Sequence, residues 1–482
     1  MTMFSDVMAL ALLPEIGLML LAAVLLVISL IKQPKWNEHL DWITAAGFTL
    51  IAVVAGIFLQ PVGDPQLLWG EMIRVDRAGF LFRVIVLIGG ALTAVYSRVD
   101  KTTHRKVEFY LLLVLSSIGL SLMAVSGNLI MLYLAVETAA IPLYVLAGFK
   151  LSDNRSVESG IKYFLFGGVS SALMLYGFTL LYGFAGTTRI YAMKAAMEAH
   201  QAPFAGILLA GLLVLAGFTF KISAVPFHFW APDVYEGSPT SLAGYLSTVS
   251  KAVGFAALLR VLINSFGVEI TTPWMVILAV IAVLTMLIGN LLAIPQTNLK
   301  RLIAYSSIAQ AGYILVGVAA GSAFGFTGAM YYLLAYLVTN LAVFAIIGWI
   351  ENATGSTDIA AFSGLSRRSP GLALLMMIAL LSLGGIPPFA GFFSKVLVFG
   401  AAVEAGMAWL AILGILNSVV SLYYYLKVMK VMYLDQPSGD YQVQNFPILW
   451  GIALGICIIG IILLGVIYTP WFDFISLAAA GL

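Results

Sequence analysis

The 482-residue chain is 62% hydrophobic and 10% charged, with a formal net charge of +2, which places it among polytopic membrane proteins. It has no basic run to offer nucleic acid, and no G-x-G-x-x-G or P-loop pattern points to a bound nucleotide. The single cysteine, Cys457, lies in an apolar run, so disulfides and four-cysteine metal or iron–sulfur centres on this chain alone are excluded.

The N-terminal MTMFSD lacks a basic n-region, so the first apolar run reads as a retained helix rather than a cleaved signal. Runs of about 20 apolar residues mark membrane spans. Fourteen are predicted, roughly at 8–31, 41–59, 79–97, 109–125, 128–149, 160–185, 204–227, 240–263, 273–294, 301–320, 326–350, 370–402, 407–432 and 446–469. Odd-to-even connections and their helix ends carry Lys32, Lys35, Arg98, Lys101, Arg105, Lys106, Lys150, Arg155, Lys300, Arg301, Arg367, Arg368, Lys427 and Lys430. The opposite connections hold only Arg74, Arg77, Arg189 and Lys194. The positive-inside rule then puts both termini on the outer side, and an even span count independently requires them to share a side.

The seventh span is interrupted. Proline removes a backbone donor and clashes with the preceding turn, so the helix is expected to break at Ser223–Pro226, just after Lys221. The twelfth span carries GGIPP at Gly384–Pro388, followed by Lys395. Two interrupted helices five spans apart are the trace of an inverted repeat, since an odd offset turns the second copy over. The expected fold is an all-α integral membrane protein with two inverted five-helix repeats. The first occupies 109–263 (spans 4–8) and the second 264–432 (spans 9–13); residues 1–108 and 433–482 are additions.

Arg83, Lys162, Lys221, Lys251, Arg260 and Lys395 fall within spans, as do Glu15 and Glu137. A charge at mid-bilayer costs about 2.5–3.5 kcal/mol on insertion scales, so Lys221, Lys251, Lys395 and Glu137 together would cost on the order of 10 kcal/mol. A function is the expected return. Glu137 is read either as a locally hydrogen-bonded, protonated acid or as the partner of Lys221, the pair offsetting part of both desolvation costs. Lys251 sits too deep to snorkel. Lysines outnumber deep acids, so some must lack a carboxylate, and an unpaired buried lysine exchanges its proton readily. Glu158 and Lys162, spaced i, i+4, form a helical ion pair at the inner mouth, with structural and functional readings both open. His228 and Asp233 fall where a cytoplasmic entrance is expected. Arg260 is near the outer end of its span, where snorkelling is the plain reading; Arg83 and Glu15 read as structural.

The stretches VETAAIPLY, IKYFLFGG, FKISAVPFHFWAPDVYEGSPT, STVSKAVGF, QTNLKRLIAYSSIAQAGY and LLSLGGIPPFAGFFSK resemble the antiporter-like membrane subunits of proton-pumping NADH:quinone oxidoreductase (complex I), relatives of Mrp-type sodium/proton antiporters. The resemblance covers about residues 105–430. It is greatest to the N-type branch, on LSLGGIPPFAGFFSK, on lysine at 395 and on the absence of a long C-terminal lateral helix. It implies a proton channel through Glu137, Lys221, Lys251 and Lys395, with His228, Lys162 and Glu158 as further candidates. Many relatives carry histidine where Gln310 stands, so a histidine relay at that position is not expected here. The resemblance also implies a bacterial inner (cell) membrane, antiporter-like neighbours in a membrane arm, and a translocase whose NADH, FMN, iron–sulfur clusters and quinone sit on other subunits. No cofactor is expected on this chain. A sodium/proton antiporter subunit and a non-conducting scaffold remain the alternatives.

Overall fold

In hydrocarbon no water can satisfy a bare backbone, so apolar runs of this length have one solution, the helix. The computed structural model describes residues 10–31, 39–61, 63–100, 106–266, 272–437 and 446–482. Lys32, Lys35, Lys101 and Arg105 of the charge alternation, and MTMFSD, lie outside them. The helices are α1 (Leu13–Ile31), α2 (Leu40–Phe58), α3 (Arg77–Tyr96), α4 (Lys106–Ala124), α5 (Leu129–Ala147), α6 (Asn154–Ala185), α7 (Phe204–Lys221), α8 (Trp230–Gly237) and α9 (Thr240–Phe266). They continue with α10 (Thr272–Ala293), α11 (Leu299–Ala319), α12 (Ala323–Thr354), α13 (Pro370–Gly384), α14 (Ala390–Glu404), α15 (Ala408–Tyr433), α16 (Ile448–Val466) and α17 (Thr469–Ala479). Among the described residues 13 helices are long and apolar enough to cross a membrane. The broken pair α13–α14 supplies the remaining predicted span.

Both predicted breaks are present. The seventh span ends at Lys221 and resumes at Trp230; the twelfth ends at Gly384 and resumes at Ala390. Several details differ from the sequence reading. The sixth span begins at Asn154 rather than 160, because Asp153 accepts a hydrogen bond from the Arg155 amide and caps a polar first turn. Apolar counting cannot see such a turn. A short antiparallel hairpin, β1 (Gln66–Leu68) with β2 (Ile73–Val75), stands before α3. The terminal α17 was also not foreseen.

α9, α11 and α12 are buried almost all round and form the core. α1, α2, α6, α10, α15 and α16 each keep an exposed face of Leu, Ile, Val and Phe, as a lipid-facing helix should. Without a hydrophobic drive between helices, close approach rests on small residues. Gly119 of α4 lies against the Ala139 backbone of α5, and Gly289 of α10 repeats the arrangement against Ala309 of α11.

The two halves share other local features. Asn128 and Asn298 each cap the helix that follows, and their side chains donate to Thr188 and Thr357. α6 and α12 are both 32 residues long and end on left-handed glycines, Gly186 and Gly355.

Two buried ion pairs hold the additional helices, the first joining α1 to α3 and the second joining the start of α3 to α9 of the first repeat. Arg83 donates twice to Glu15 at 3.0 Å, and Ser121 donates to the same carboxylate, so the structural reading of both residues holds. Arg260 corrects its sequence reading. It does not snorkel: it is 1% exposed and grips Asp76 with two guanidinium nitrogens at 2.7 and 2.6 Å. Asp76 also caps α3 through the Gly79 amide. Burial alone would raise its pKa; Arg260, the Gly79 amide and Arg74 outweigh that and hold it below the usual carboxylate value.

Candidate functional site: a line of buried lysines

Lys221 is the last residue of α7, and Ser223 takes a left-handed φ of 57° to turn the chain. The lysine is 5% exposed and its Nζ has no hydrogen-bond partner among the described residues. The expected contact pair with Glu137 does not form. Glu137 accepts a hydrogen bond from Ser171, and no ion pair joins it to Lys221 within 4.0 Å. A small cavity lined by Val136, Ser171, Met174 and Lys221 lies between the two helices, with a volume of about 20 Å³, room for water-sized contact. Glu137 directly follows Val136, one of the residues lining that cavity. It is half-buried on a face whose neighbours Leu134 and Ile141 are exposed.

The stem of Lys221 packs on α9 at Gly254, where an added Cβ would come within 3.1 Å of Lys221 Cγ. Gly254 is one helical turn from Lys251. Lys251 is 2% exposed and joins no ion pair among the described residues. Its Nζ donates to the Ser307 carbonyl at 3.0 Å and to the Ser307 hydroxyl on α11. Tyr235 of α8 holds its ring 5.9 Å from the same ammonium.

One turn further along α11 stands Gln310. Its Nε2 donates to the Leu383 carbonyl at 3.1 Å and to Tyr425 at 3.3 Å, while Tyr332 donates to its Oε1. The Leu383 carbonyl is one of the terminal carbonyls of the broken α13 that no helical amide takes, and it also accepts from Lys395. The Lys395 Nζ donates to Leu383 O at 3.1 Å, Gly384 O at 3.0 Å and Ser418 Oγ at 2.7 Å, with the Tyr313 ring 4.9 Å away. Lys221, Lys251 and Lys395 therefore follow one another across the molecule, with Gly254, Ser307, Gln310 and the Leu383 carbonyl lying between them. Beyond Lys395, Asn290 bonds Tyr313, Asn417 and Tyr424.

The mouth near the first break is a charged cluster. Lys162 bridges Glu158 and Asp233, both at 2.6 Å, and Arg301 bridges Asp233 at 2.6 Å and Glu236 at 2.9 Å. The predicted Glu158–Lys162 pair is present but is one edge of this larger network. Burial pushes the Asp233 pKa up; Lys162 and Arg301 overcome it and hold the group low. His228 is 2% exposed, stacks on Phe229 at 4.2 Å, and joins none of these ion pairs. Burial lowers its pKa. Ser307, Tyr235 and Tyr332 were missed from sequence because polar residues inside apolar helices are individually unremarked. Only their convergence on the lysines marks them.

Broken helices aimed at buried cations, in a bundle whose outer faces are apolar, define a polytopic transport-type membrane protein. Residues 126–421 match the family described as NADH:quinone oxidoreductase/Mrp antiporter, TM, and the chain belongs to that family. It is 43% identical over 449 residues to NADH-quinone oxidoreductase subunit N of Moorella thermoacetica, an alignment covering 92% of this chain and 93% of the relative. A chain of respiratory complex I from Thermus thermophilus with bound aureothin superposes with a TM-score of 0.82 at 31% identity, over 97% of this chain and 99% of that one. A chain of the Mrp complex from Dietzia sp. DQ12-45-1b has a TM-score of 0.87 at 22% identity, over 98% and 97% respectively, a likeness of fold alone.

Proposed function

We propose that this chain is the N-type membrane subunit of a proton-translocating NADH:quinone oxidoreductase, and that protons cross it along the lysine line. The observation that carries the reading is the row of neutral groups between Lys251 and Lys395: Ser307, Gln310 one turn along α11, and the Leu383 carbonyl that Gln310 and Lys395 share. A lysine held by carbonyls and hydroxyls can lose and regain its proton without leaving a carboxylate stranded. Gln310 carries no proton itself; it orients hydrogen-bonded water between the two ammonium sites.

Glu137 acts as the control element. It sits on an open flank, where a neighbouring antiporter-like subunit can change its charge or position, and it reaches Lys221 through the small cavity rather than by contact. When its influence on Lys221 weakens, the proton on Lys221 moves towards Lys251 and then Lys395. Energy comes from redox chemistry on other subunits, which hold NADH, FMN, iron–sulfur clusters and quinone. Both termini lie on the outer side of the bacterial cell membrane in this reading, and the charge alternation supports that orientation. The chain divides into 1–108, a first repeat 109–263, a second repeat 264–432 and 433–482. Glu158, Lys162, His228 and Asp233 line the cytoplasmic mouth.

The test compares Lys395→Arg with Lys395→Ala in assembled complexes. Arginine keeps the cation but not the exchangeable proton, since its pKa stays above about 12. Pumping is expected to fail in both variants with assembly retained in the arginine one. Normal proton-to-electron ratios in Lys395→Arg would leave a scaffold role. Pumping that requires sodium would instead favour the Mrp-type antiporter reading, which the shared fold supports.

A further inference from the structure

Arg260 is a buried charge that the lysine line does not use. It follows Lys251 on α9, about 14 Å further along by helical rise, and so lies at the end of the bundle opposite the charged mouth. Its guanidinium donates to the Ala124 carbonyl, the last of α4, at 2.9 Å and to the Tyr191 hydroxyl at 2.6 Å, besides gripping Asp76. Arg74 binds the same carboxylate at 2.9 Å and lies 3.9 Å over the Tyr191 ring. Two arginines thus share one carboxylate.

A polar row leads to that end. On α4, Ser117 is hydrogen-bonded to Tyr245 of α9 at 2.7 Å, and Ser121, one turn on, donates to Glu15. Ser116, Ser117 and Ser121 are all buried. The row closes at the Ala124 carbonyl, which Arg260 occupies. Hydroxyls spaced in this way can hold water, and with it protons, on a course from the neighbourhood of Lys251 to the end of the repeat away from the mouth.

The second half has the same arrangement turned over. Lys427, near the end of α15, donates to the Ile294 and Gln296 carbonyls just past α10, at 3.4 and 3.5 Å. In each repeat a cation near the end of the fifth helix caps the C-terminus of the first, α4 by Arg260 and α10 by Lys427. Inversion sets the two on opposite faces. The helix dipole favours a cation at either place. It does not call for a guanidinium at 1% exposure with a second one beside it.

We propose that Arg260 is an electrostatic seal, a permanent buried cation that keeps protons from entering or leaving the lysine line at the end of the first repeat opposite the mouth, with Lys427 as its counterpart in the second. Arginine keeps the proton that lysine exchanges, so it suits a barrier as lysine suits a relay. A fixed arginine excludes protons and cations from membrane pores by the same repulsion. The inference rests on the proton-relay reading of Lys251 and adds the direction in which that proton does not go.

The experiment uses the assembled complex in liposomes without NADH. An imposed pH gradient is allowed to decay, with potassium and valinomycin present, and is followed by an entrapped dye. Across about 14 Å, a unit charge at an effective dielectric of about 20 alters the local proton population about tenfold, so Arg260→Met is expected to speed the decay about tenfold. Asp76→Asn breaks the same ion pair but keeps the cation and the α3 cap, and is expected to decay at the wild-type rate. Equal leaks in the two variants would mean loosened packing and overturn the seal. A wild-type rate in Arg260→Met overturns it too and leaves the relay standing. Adding Lys251→Ala to Arg260→Met is expected to restore the slow decay, because the leak runs through that lysine; a leak that persists overturns the seal. NADH-driven pumping by Lys251→Ala alone tests the relay separately, and wild-type pumping there overturns the relay whatever Arg260→Met does. Should Arg260→Met fail to assemble, the half-buried Lys427 carries the test: Lys427→Met is expected to leak about tenfold faster, and a wild-type rate overturns the paired seal.

Discussion

At the first break Ser223 takes φ of 57° three residues before Pro226; at the second Gly385 takes φ of 81° three residues before Pro388. The amides of Ser223 and Ala224 return to Phe220 and Thr219, and those of Gly385 and Ile386 return to Ser382 and Leu381, so one backbone plan serves both. In that register Lys221 falls opposite Leu383, and Lys395 falls opposite Asp233. The charge has changed sides of the break. In the second copy the lysine reaches back and caps the carbonyls of its own first half-helix. In the first copy the indole of Trp230 caps the Phe220 carbonyl at 3.1 Å, and Lys221 has no hydrogen-bond partner among the described residues. A lysine bound by neutral dipoles stays where its carbonyls put it. A lysine with no such partner answers to a distant carboxylate, and Glu137 provides one.

The largest effect that could break this comparison lies in the turn residues. A Cβ at Gly385 would come within 2.8 Å of Lys395 Cδ, in a left-handed conformation that disfavours side chains. Gly385→Val is expected to destabilise by about 2–5 kcal/mol, left-handed strain and overpacking combined. Ser223→Gly relieves the same strain against a backbone-entropy cost, so it should stabilise by up to about 1 kcal/mol. Thermal unfolding of the assembled complex reads both. A loss of stability in Ser223→Gly would mean that the first turn is not strained by the left-handed conformation that the second turn meets with glycine.

The next effect concerns the carboxylate that stands where the second copy has lysine. Asp233 is held by Lys162 and Arg301, both at 2.6 Å. Asp233→Asn should cost about 1.5–3 kcal/mol, the range for a charge-assisted hydrogen bond. The sign with pH follows from the lowered pKa. The unfolded state binds the proton more tightly, so the contribution is fully present above the ordinary carboxylate value and is lost as pH falls below about 4. Acid unfolding followed for wild type and Asp233→Asn should therefore converge at low pH. Curves that stay parallel would show that Asp233 is not the titrating group.

The span count, both breaks and the buried lysines were legible in the sequence because each is a local departure from a long apolar background. The pairing of Arg260 was not. Its partner Asp76 lies in another helix's cap, and depth within a span says nothing of which neighbour covers it. The separation of Glu137 from Lys221 was equally invisible, since opposite charges in one membrane suggest contact and only geometry shows Ser171 taking the acid. Lys150 likewise read as a loop charge until α12 was seen to bring Glu351 within 3.6 Å of its ammonium.

The smallest effect tests whether the mouth cluster is anchored at Asp233 or spread evenly. Glu158 shares Lys162 with Asp233 at the same 2.6 Å, so distance alone would rank the two pairs equal. Exposure separates them: the Glu158 side chain is 60% exposed and that of Asp233 28%. Solvent screens the outer pair and the side chains pay entropy to hold it, leaving about 0.3–0.5 kcal/mol for an i, i+4 helix pair. Glu158→Gln should thus lower the unfolding midpoint of the complex by about 1 °C or less. Lys162 should stay docked on Asp233, because the inner bond is the one that survives. A loss as large as that of Asp233→Asn would move the anchor to Glu158. The charge that the first repeat carries opposite Lys395 would then be peripheral rather than central to its break.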